Sequence, residues 1–198
     1  MKYIILMFIF VSVLLYSTCE NSNTPAKSTT KVENSNDVFL KKGKLVASAT
    51  FATLSGNLQK AMKEGGVSNA IEYCNLAALP LVDSLSQIHN ANIRRTSLKV
   101  RNLKDKPTPQ ELVQLQAYGK QFKSGEKLKP VVKEIDPNTV AFYAPIHMMP
   151  LCEKCHGEVG NTLLEKDYEA IQKYYPEDKA IGFVSGDFRG MWSISFQK

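Results

Sequence analysis

The feature that most restricts what this chain can become is the pentapeptide Cys152-Glu153-Lys154-Cys155-His156. Two thiols three residues apart, followed at once by an imidazole, match c-type haem attachment: each sulfur forms a thioether to a vinyl group and the histidine ligates the iron. Such a pattern ties one short segment to a rigid, flat prosthetic group, and the rest of the chain has to fold around it. Other uses of the thiols make different demands. A zinc site wants four Cys or His ligands, usually as two separated pairs, and the second pair is missing. A thioredoxin-like Cys-x-x-Cys follows a βαβ pattern, which is not seen upstream. A local disulfide is left open by the spacing.

At the other end of the chain, Met1-Lys2 leads into an apolar run from Tyr3 to Tyr16, followed by Ser17-Thr18-Cys19. The run is too short for a comfortable membrane span and about right for a signal-peptide core. A cysteine at its end resembles the lipobox of bacterial lipoproteins, in which the thiol is acylated and becomes the mature N-terminus. Tyr16 and Thr18 depart from that pattern, which usually has Leu and a small residue there. Two or three acyl chains on Cys19 hold a protein firmly to a bilayer surface, whereas one binds reversibly. Residues 1–18 are therefore expected to be a lipoprotein-type signal peptide. Residues 19–37, with almost nothing to bury, are expected to be a flexible tether. Residues 38–198 are of ordinary domain size, able to bury a core without structural disulfides.

Export agrees with the haem reading, because bacterial c-type haem is attached outside the cytoplasmic membrane. The expected location is the cell envelope, on whichever membrane takes the anchor. The formal charge of +6 comes from scattered basic residues, which read as a solvated surface, and no nucleic acid partner is expected.

Within the domain, Leu40, Leu45, Ala49, Ala52, Leu58 and Met62 recur at near-helical spacing from Val38 to about Lys63, with Gly65-Gly66 as a stop. A second helix begins at Ser68 and carries Ala70, Ile71, Cys74, Ala77, Ala78, Leu81, Leu85 and Ile88 on one stripe. Pro80 falls inside it and is expected to bend the chain around Leu76 to Leu79. On its own, Cys74 reads as a small buried hydrophobe of that stripe. Ile93 to Arg101 reads as a strand, Lys106-Pro107-Thr108-Pro109 as a break, and Thr108 to Phe122 as a helix with Leu112, Leu115 and Phe122 inward. Thr139 to Ile146 is a strand leading to Pro150 and the pentapeptide, and Asn161 to Tyr174 is a short helix. The tail reads as a closing hairpin, Ala180 to Val184 with Met191 to Phe196, turning at Ser185-Gly186-Asp187. Helices first and antiparallel strands late give an α+β domain, and no internal repeats are present.

Several stretches taken together resemble a bacterial family, the Tll-type haem domain. They are Ile93-Arg-Arg-Thr-Ser-Leu-Lys-Val-Arg-Asn102, Phe142-Tyr143-Ala-Pro145 before Cys152-Glu-Lys-Cys-His-Gly157, Tyr175-Pro-Glu-Asp-Lys-Ala-Ile-Gly182, and Gly186-Asp-Phe-Arg-Gly190. The resemblance covers roughly Leu40 to Lys198. It implies a PAS-like antiparallel sheet with packed helices, preceded here by a long N-terminal helix, and one covalent haem c. It also implies histidine on one side of the iron and cysteine thiolate on the other. The histidine is His156, and the family's helix motif matches Ile71-Glu-Tyr-Cys74-Asn75, which makes Cys74 the second ligand. Competing ligands stand just ahead of the pentapeptide in His147, Met148 and Met149, but so short a segment has to reach round to the opposite haem face. His89, at the end of the second helix, reads as a helix-terminal cation.

Alternation along the first strand puts Arg95, Lys99 and Arg101 on one face and Arg94 on the other. Arg94 or Arg101 is a candidate partner for a haem propionate, since a planar fork suits a carboxylate, and Arg189 is a weaker one. For each, a solvated position is the plainer alternative.

An iron closed on both sides by protein ligands has no position for a substrate, so no enzymatic turnover is expected. The expected role is electron transfer with an unidentified redox partner. The alternative is a redox or gas sensor in which loss of the thiolate is passed to a signalling partner. The lack of an output segment after Lys198 weighs towards the carrier.

Overall fold

Four antiparallel strands make one sheet in the order β1-β4-β3-β2: β1 is Asn92–Thr96, β2 Val131–Asp136, β3 Thr139–His147 and β4 Phe188–Gln197. The computed structural model describes residues 35–198, so the expected signal peptide, Cys19 and most of the expected tether lie outside the described residues. The four helices are α1 (Ser35–His89), α2 (Pro109–Lys123), α3 (Glu153–His156) and α4 (Glu165–Tyr174). The fold is α+β with a long N-terminal helix, as the element pattern suggested.

Period-two alternation decides what covers each face of the sheet. Ile93, Phe142, Ala144, Trp192, Ile194 and Phe196 face α1 and pack with Val46, Ala47, Leu54, Ala78 and Val82. Ala141, Tyr143 and Met191 face the other way and pack with Leu115 and Tyr118 of α2 and with Leu128. Phe142 and Ile194, paired across β3 and β4, have no exposed surface, and each such side chain contributes about 1.5–3 kcal/mol by leaving water. Gly43 is where α1 comes closest, since a Cβ there would collide with the Phe142 ring. The Tyr118 hydroxyl donates to the carbonyls of Lys129 (2.8 Å) and Tyr143 (3.2 Å), tying α2 to the sheet.

Both ends of α1 lie at one end of the sheet. Phe39 stacks on Phe196 with ring centroids 5.8 Å apart, and Asn92, just after the helix, pairs with Ser195. A straight helix of 55 residues would be about 80 Å long, so the chain must double back. It does so at Gly65 (φ −155°, ψ 23°) and Gly66 (φ 71°, ψ −161°), where the Asn69 amide donates to the Ala61 carbonyl at 2.8 Å. Gly66 lies in the left-handed region that glycine occupies without strain. The stop anticipated at Gly65-Gly66 is therefore the turn of a helical hairpin. The return segment, 67–89, carries Ile71 and Cys74 past the far end of the sheet. The departures from helical dihedrals within α1 are at the two glycines and not at Pro80.

Several expectations are corrected. The tail hairpin does not form: β4 instead pairs with β1 and β3 at the centre of the sheet, and 180–184 is a non-strand strap. The backbone of that strap is used elsewhere, as Gly182 N–H donates to the Gly157 carbonyl (2.9 Å) and Phe183 N–H to the His156 carbonyl (3.0 Å). The first strand ends at Thr96, five residues short of Arg101. Strand β2 was not foreseen, because it is an edge strand with four exposed residues in six. Leu112 and Phe122 are each 37% exposed, while Glu111, Gln114, Leu115 and Tyr118 are buried.

Candidate functional site

Strand β3 delivers the chain to a single 3₁₀ turn, Pro150–Cys152, and then to α3, so the pentapeptide is one tight helical segment. Cys152 is half-buried, Cys155 is buried, and with Cys74 they are free thiols. Gly157 follows because nothing larger fits: a Cβ there would collide with the Thr162 hydroxyl and lie 2.5 Å from the Glu153 carbonyl oxygen.

The strap 178–183 clamps this turn from one side. His156 Nδ1 lies 2.7 Å from the Ala180 carbonyl oxygen. A carbonyl only accepts, so Nδ1 carries the proton and Nε2 keeps its lone pair, the tautomer that a metal-binding imidazole needs. Burial, then the positive charges of Arg101 and Arg189, hold His156 well below the usual histidine range, which favours the neutral ring. Arg101 donates to the Cys155 carbonyl and forms an ion pair with Asp178 at 3.1 Å. Asp178 in turn accepts the Ala180 N–H at 2.8 Å. One arginine thus joins the loop after β1, the pentapeptide and the strap.

Cys155 packs with Ile71 of α1, Leu163, Ile171 of α4 and Tyr175. Cys74 lies one helical turn beyond Ile71, on the same side of the return segment. Burial pushes its thiol up, while Arg95 and Arg101 pull the other way. Burial, opposed by Arg101 and reinforced by charge on Cys74, pushes Cys155 up to about 11. Tyr175 is raised to about 12 for the same first reason, and it too feels Cys74. The two arginines offset only part of the burial cost of the Cys74 thiolate, the form that binds a metal.

The structure therefore brings Cys152, Cys155, His156, Cys74 and Arg101 to one end of the sheet. Arg94 goes elsewhere. It faces α2, where it donates to Glu111 (3.1 Å) and to the Lys106 carbonyl (2.9 Å). His147 also belongs to the α2 side, with Nδ1 3.2 Å from the Gly186 carbonyl oxygen and its ring 6.1 Å from that of Phe122. Met148 is packed away at 3% exposure, Met149 is exposed, and His89 ends α1 at the opposite end of the sheet. Asp178, Ala180 and Phe183 were not singled out from the sequence, though they fall within or beside the Tyr175–Gly182 stretch. Arg95, assigned only to a face, joins Arg101 and Arg189 at the site.

Two free thiols on one turn, a neutral imidazole with an available Nε2 and a third cysteine nearby form a donor set that suits covalently held porphyrin iron. Among the described residues, no three His, Cys, Asp or Glu side chains cluster in the way a bare metal site requires, and no helix is long and apolar enough to cross a membrane.

No curated protein matches the chain. The crystal structure of the cyanobacterial heme-protein Tll0287 superposes with a TM-score of 0.59 at 23% identity, over 82% of this chain and 97% of that one. The Tll0287-like family profile matches residues 23–197, nearly the full length. The chain belongs to the Tll0287-like family.

Proposed function

We propose that this protein is a monohaem c-type electron-transfer protein of the cell envelope. Cys152 and Cys155 would hold the haem through thioethers, and His156 Nε2 and Cys74 Sγ would bind its iron. When bound, that group supplies reversible one-electron chemistry at iron. The observation that carries the reading is the His156 ring, fixed by the Ala180 carbonyl at 2.7 Å so that Nε2 is the free nitrogen, within a Cys-x-x-Cys-His turn whose thiols are not paired. The similarity to a heme-protein supports it. A thiolate donates strongly to ferric iron and lowers the reduction potential relative to a methionine ligand. With His156 and Cys74 both bound, the iron would have no position left for a substrate, so the protein would not act as an enzyme. The apolar run of Tyr3 to Tyr16 and the following Cys19 support export and lipid anchoring.

A sensor is the second reading. Cys74 sits on the return segment of α1, a different element from the one bearing His156, so release of the thiolate would free a helix.

The test is the absorption spectrum of the mature holoprotein in ferric, ferrous and ferrous-CO forms, with its intact mass. Haem-sized added mass, a Soret band and a thiolate charge-transfer band lost in Cys74→Ser are expected. No added mass and no Soret band would end the proposal. Persistence of thiolate ligation on reduction without CO uptake identifies the carrier; ready CO binding identifies the sensor.

A further inference from the structure

The arginines at the site are not equivalent. Arg101 is committed through Nε and Nη2 to Asp178 and to the carbonyls of Cys155 and Ala180. Arg94 is committed to Glu111 on the far face. Arg189 and Arg95 differ from both. Phe188 packs with Tyr118 and Phe122 on the α2 side, and the β-bulge that sets Arg189 between the partners of His147 and Ile146 turns this residue away from that side. There its guanidinium lies 5.1 Å from the centre of the Phe183 ring, and Nη1 donates to Ser97 Oγ (2.7 Å) and the Lys99 carbonyl (3.0 Å). Its Nε is buried without a partner among the described residues. Phe183 is the residue whose N–H binds the His156 carbonyl, so the guanidinium rests directly on the strap that holds the pentapeptide. Arg95 is exposed, lies over Trp192 at 5.8 Å on that same face, and forms no ion pair among the described residues.

A buried N–H left unpaired has given up its hydrogen bonds to water with no replacement, a cost that a carboxylate accepting from Arg189 Nε would remove. Charge points the same way. Burial, then Arg101, lowers Arg189 to about 10, and Arg95 adds to the repulsion, while Asp178 and Asp105 oppose it. Three guanidiniums thus share two carboxylates, one of them already bound to Arg101.

We infer that Arg189, together with Arg95, forms a carboxylate-binding subsite beside the strap, and that its occupant is a propionate of the haem held by Cys152 and Cys155. The inference rests on the haem reading and names the side chains that recognise the group's acidic edge. It replaces Arg94 and Arg101 in that role. A guanidinium fork suits a carboxylate, and positive charge near the iron opposes the fall in potential that a thiolate brings.

The test uses holoprotein of the full chain, comparing Arg189→Gln, Arg95→Gln, Arg189→Lys and Arg94→Gln. Readouts are the midpoint potential by spectroelectrochemistry and the propionate bending band in the resonance Raman spectrum. Arg189→Gln and Arg95→Gln are expected to lower the midpoint and shift the band, with covalent haem and Soret absorption retained. Arg189→Lys is expected to keep most of the midpoint but shift the band, because it keeps the charge and loses the fork. Arg94→Gln is expected to change neither. If Arg189→Gln fails to fold, the exposed Arg95→Gln decides by the same criteria. Haem-loaded Arg189→Gln with wild-type midpoint and band, or Arg94→Gln moving both as far, overturns the subsite and leaves the haem reading standing. Wild-type protein without covalent haem overturns both.

Discussion

Replacing Arg101 by Met tests whether the tie between pentapeptide and strap holds this end of the molecule. The Arg101 side chain is 12% exposed and that of Asp178 is 1% exposed. Methionine keeps most of the volume but strands a carboxylate that has left water almost completely. Breaking one side of a buried pair costs about 3–5 kcal/mol. Asp178 keeps the Ala180 N–H at 2.8 Å, and Ala180 O keeps His156, so the lower end applies, about 3 kcal/mol. For a domain of this size that lowers Tm by roughly 10 °C. Guanidinium unfolding of the full chain should show the midpoint moving at constant slope. Adding Asp178→Asn should restore at least about 1 kcal/mol, because the stranded charge is gone. A loss below about 1 kcal/mol, the value of an exposed ion pair, or a double variant no better than Arg101→Met, would refute the buried-tie argument.

Gly157→Ala should destabilise by about 1–3 kcal/mol, because its Cβ meets the Thr162 hydroxyl and the Glu153 carbonyl; an unfolding midpoint equal to wild type would show that the turn relaxes freely. Two exposed glycines of α1, Gly56 and Gly66, should respond with opposite signs. Gly56→Ala, with open space around it, should stabilise by about 0.5–1 kcal/mol, whereas Gly66→Ala at φ 71° should cost about 1 kcal/mol; the same sign for both in thermal unfolding would contradict the hairpin turn. Burial raises the Asp105 carboxyl above 3.8 against the pull of Arg95, Arg94 and Arg189. A raised acid favours the folded state while protonated, and that contribution is lost as pH rises through the folded pKa. Asp105→Asn should therefore be more stable than wild type at pH values above the folded pKa of Asp105, with the advantage shrinking as the pH falls below it. An advantage that grows on acidification would invert the sign.

Local chemistry was legible wherever it was self-contained. Thr108-Pro109-Gln110-Glu111 encodes the start of α2 outright, since the Thr108 hydroxyl accepts from Glu111 N–H and the Glu111 carboxylate accepts from Thr108 N–H. The run Thr139–Ile146, apolar on both faces, announced a central strand, and Gly65-Gly66 announced a break. What failed were readings that needed a partner. Ala180–Val184 has the composition of a strand, but its N–H groups go to Gly157 and His156, and nothing local predicts that. Phe122 fits an apolar helix stripe and yet is 37% exposed, because α2 packs against the sheet through Leu115 and Tyr118.

By itself, the order of residues determined the Cys-x-x-Cys-His pattern, the helix break at Gly65-Gly66 and the faces on which the arginines of β1 lie, because thiol spacing, glycine backbone freedom and strand alternation act within a few residues. Only the tertiary structure decided which of those faces meets the pentapeptide and which meets α2. That choice depends on the element covering each side of the sheet, and it sends Arg94 to Glu111 while Arg95 and Arg189 remain beside Cys74 and His156. Side-chain alternation has a period of two whatever lies above the strand, so it can sort residues into sets but cannot name the neighbour each set will have.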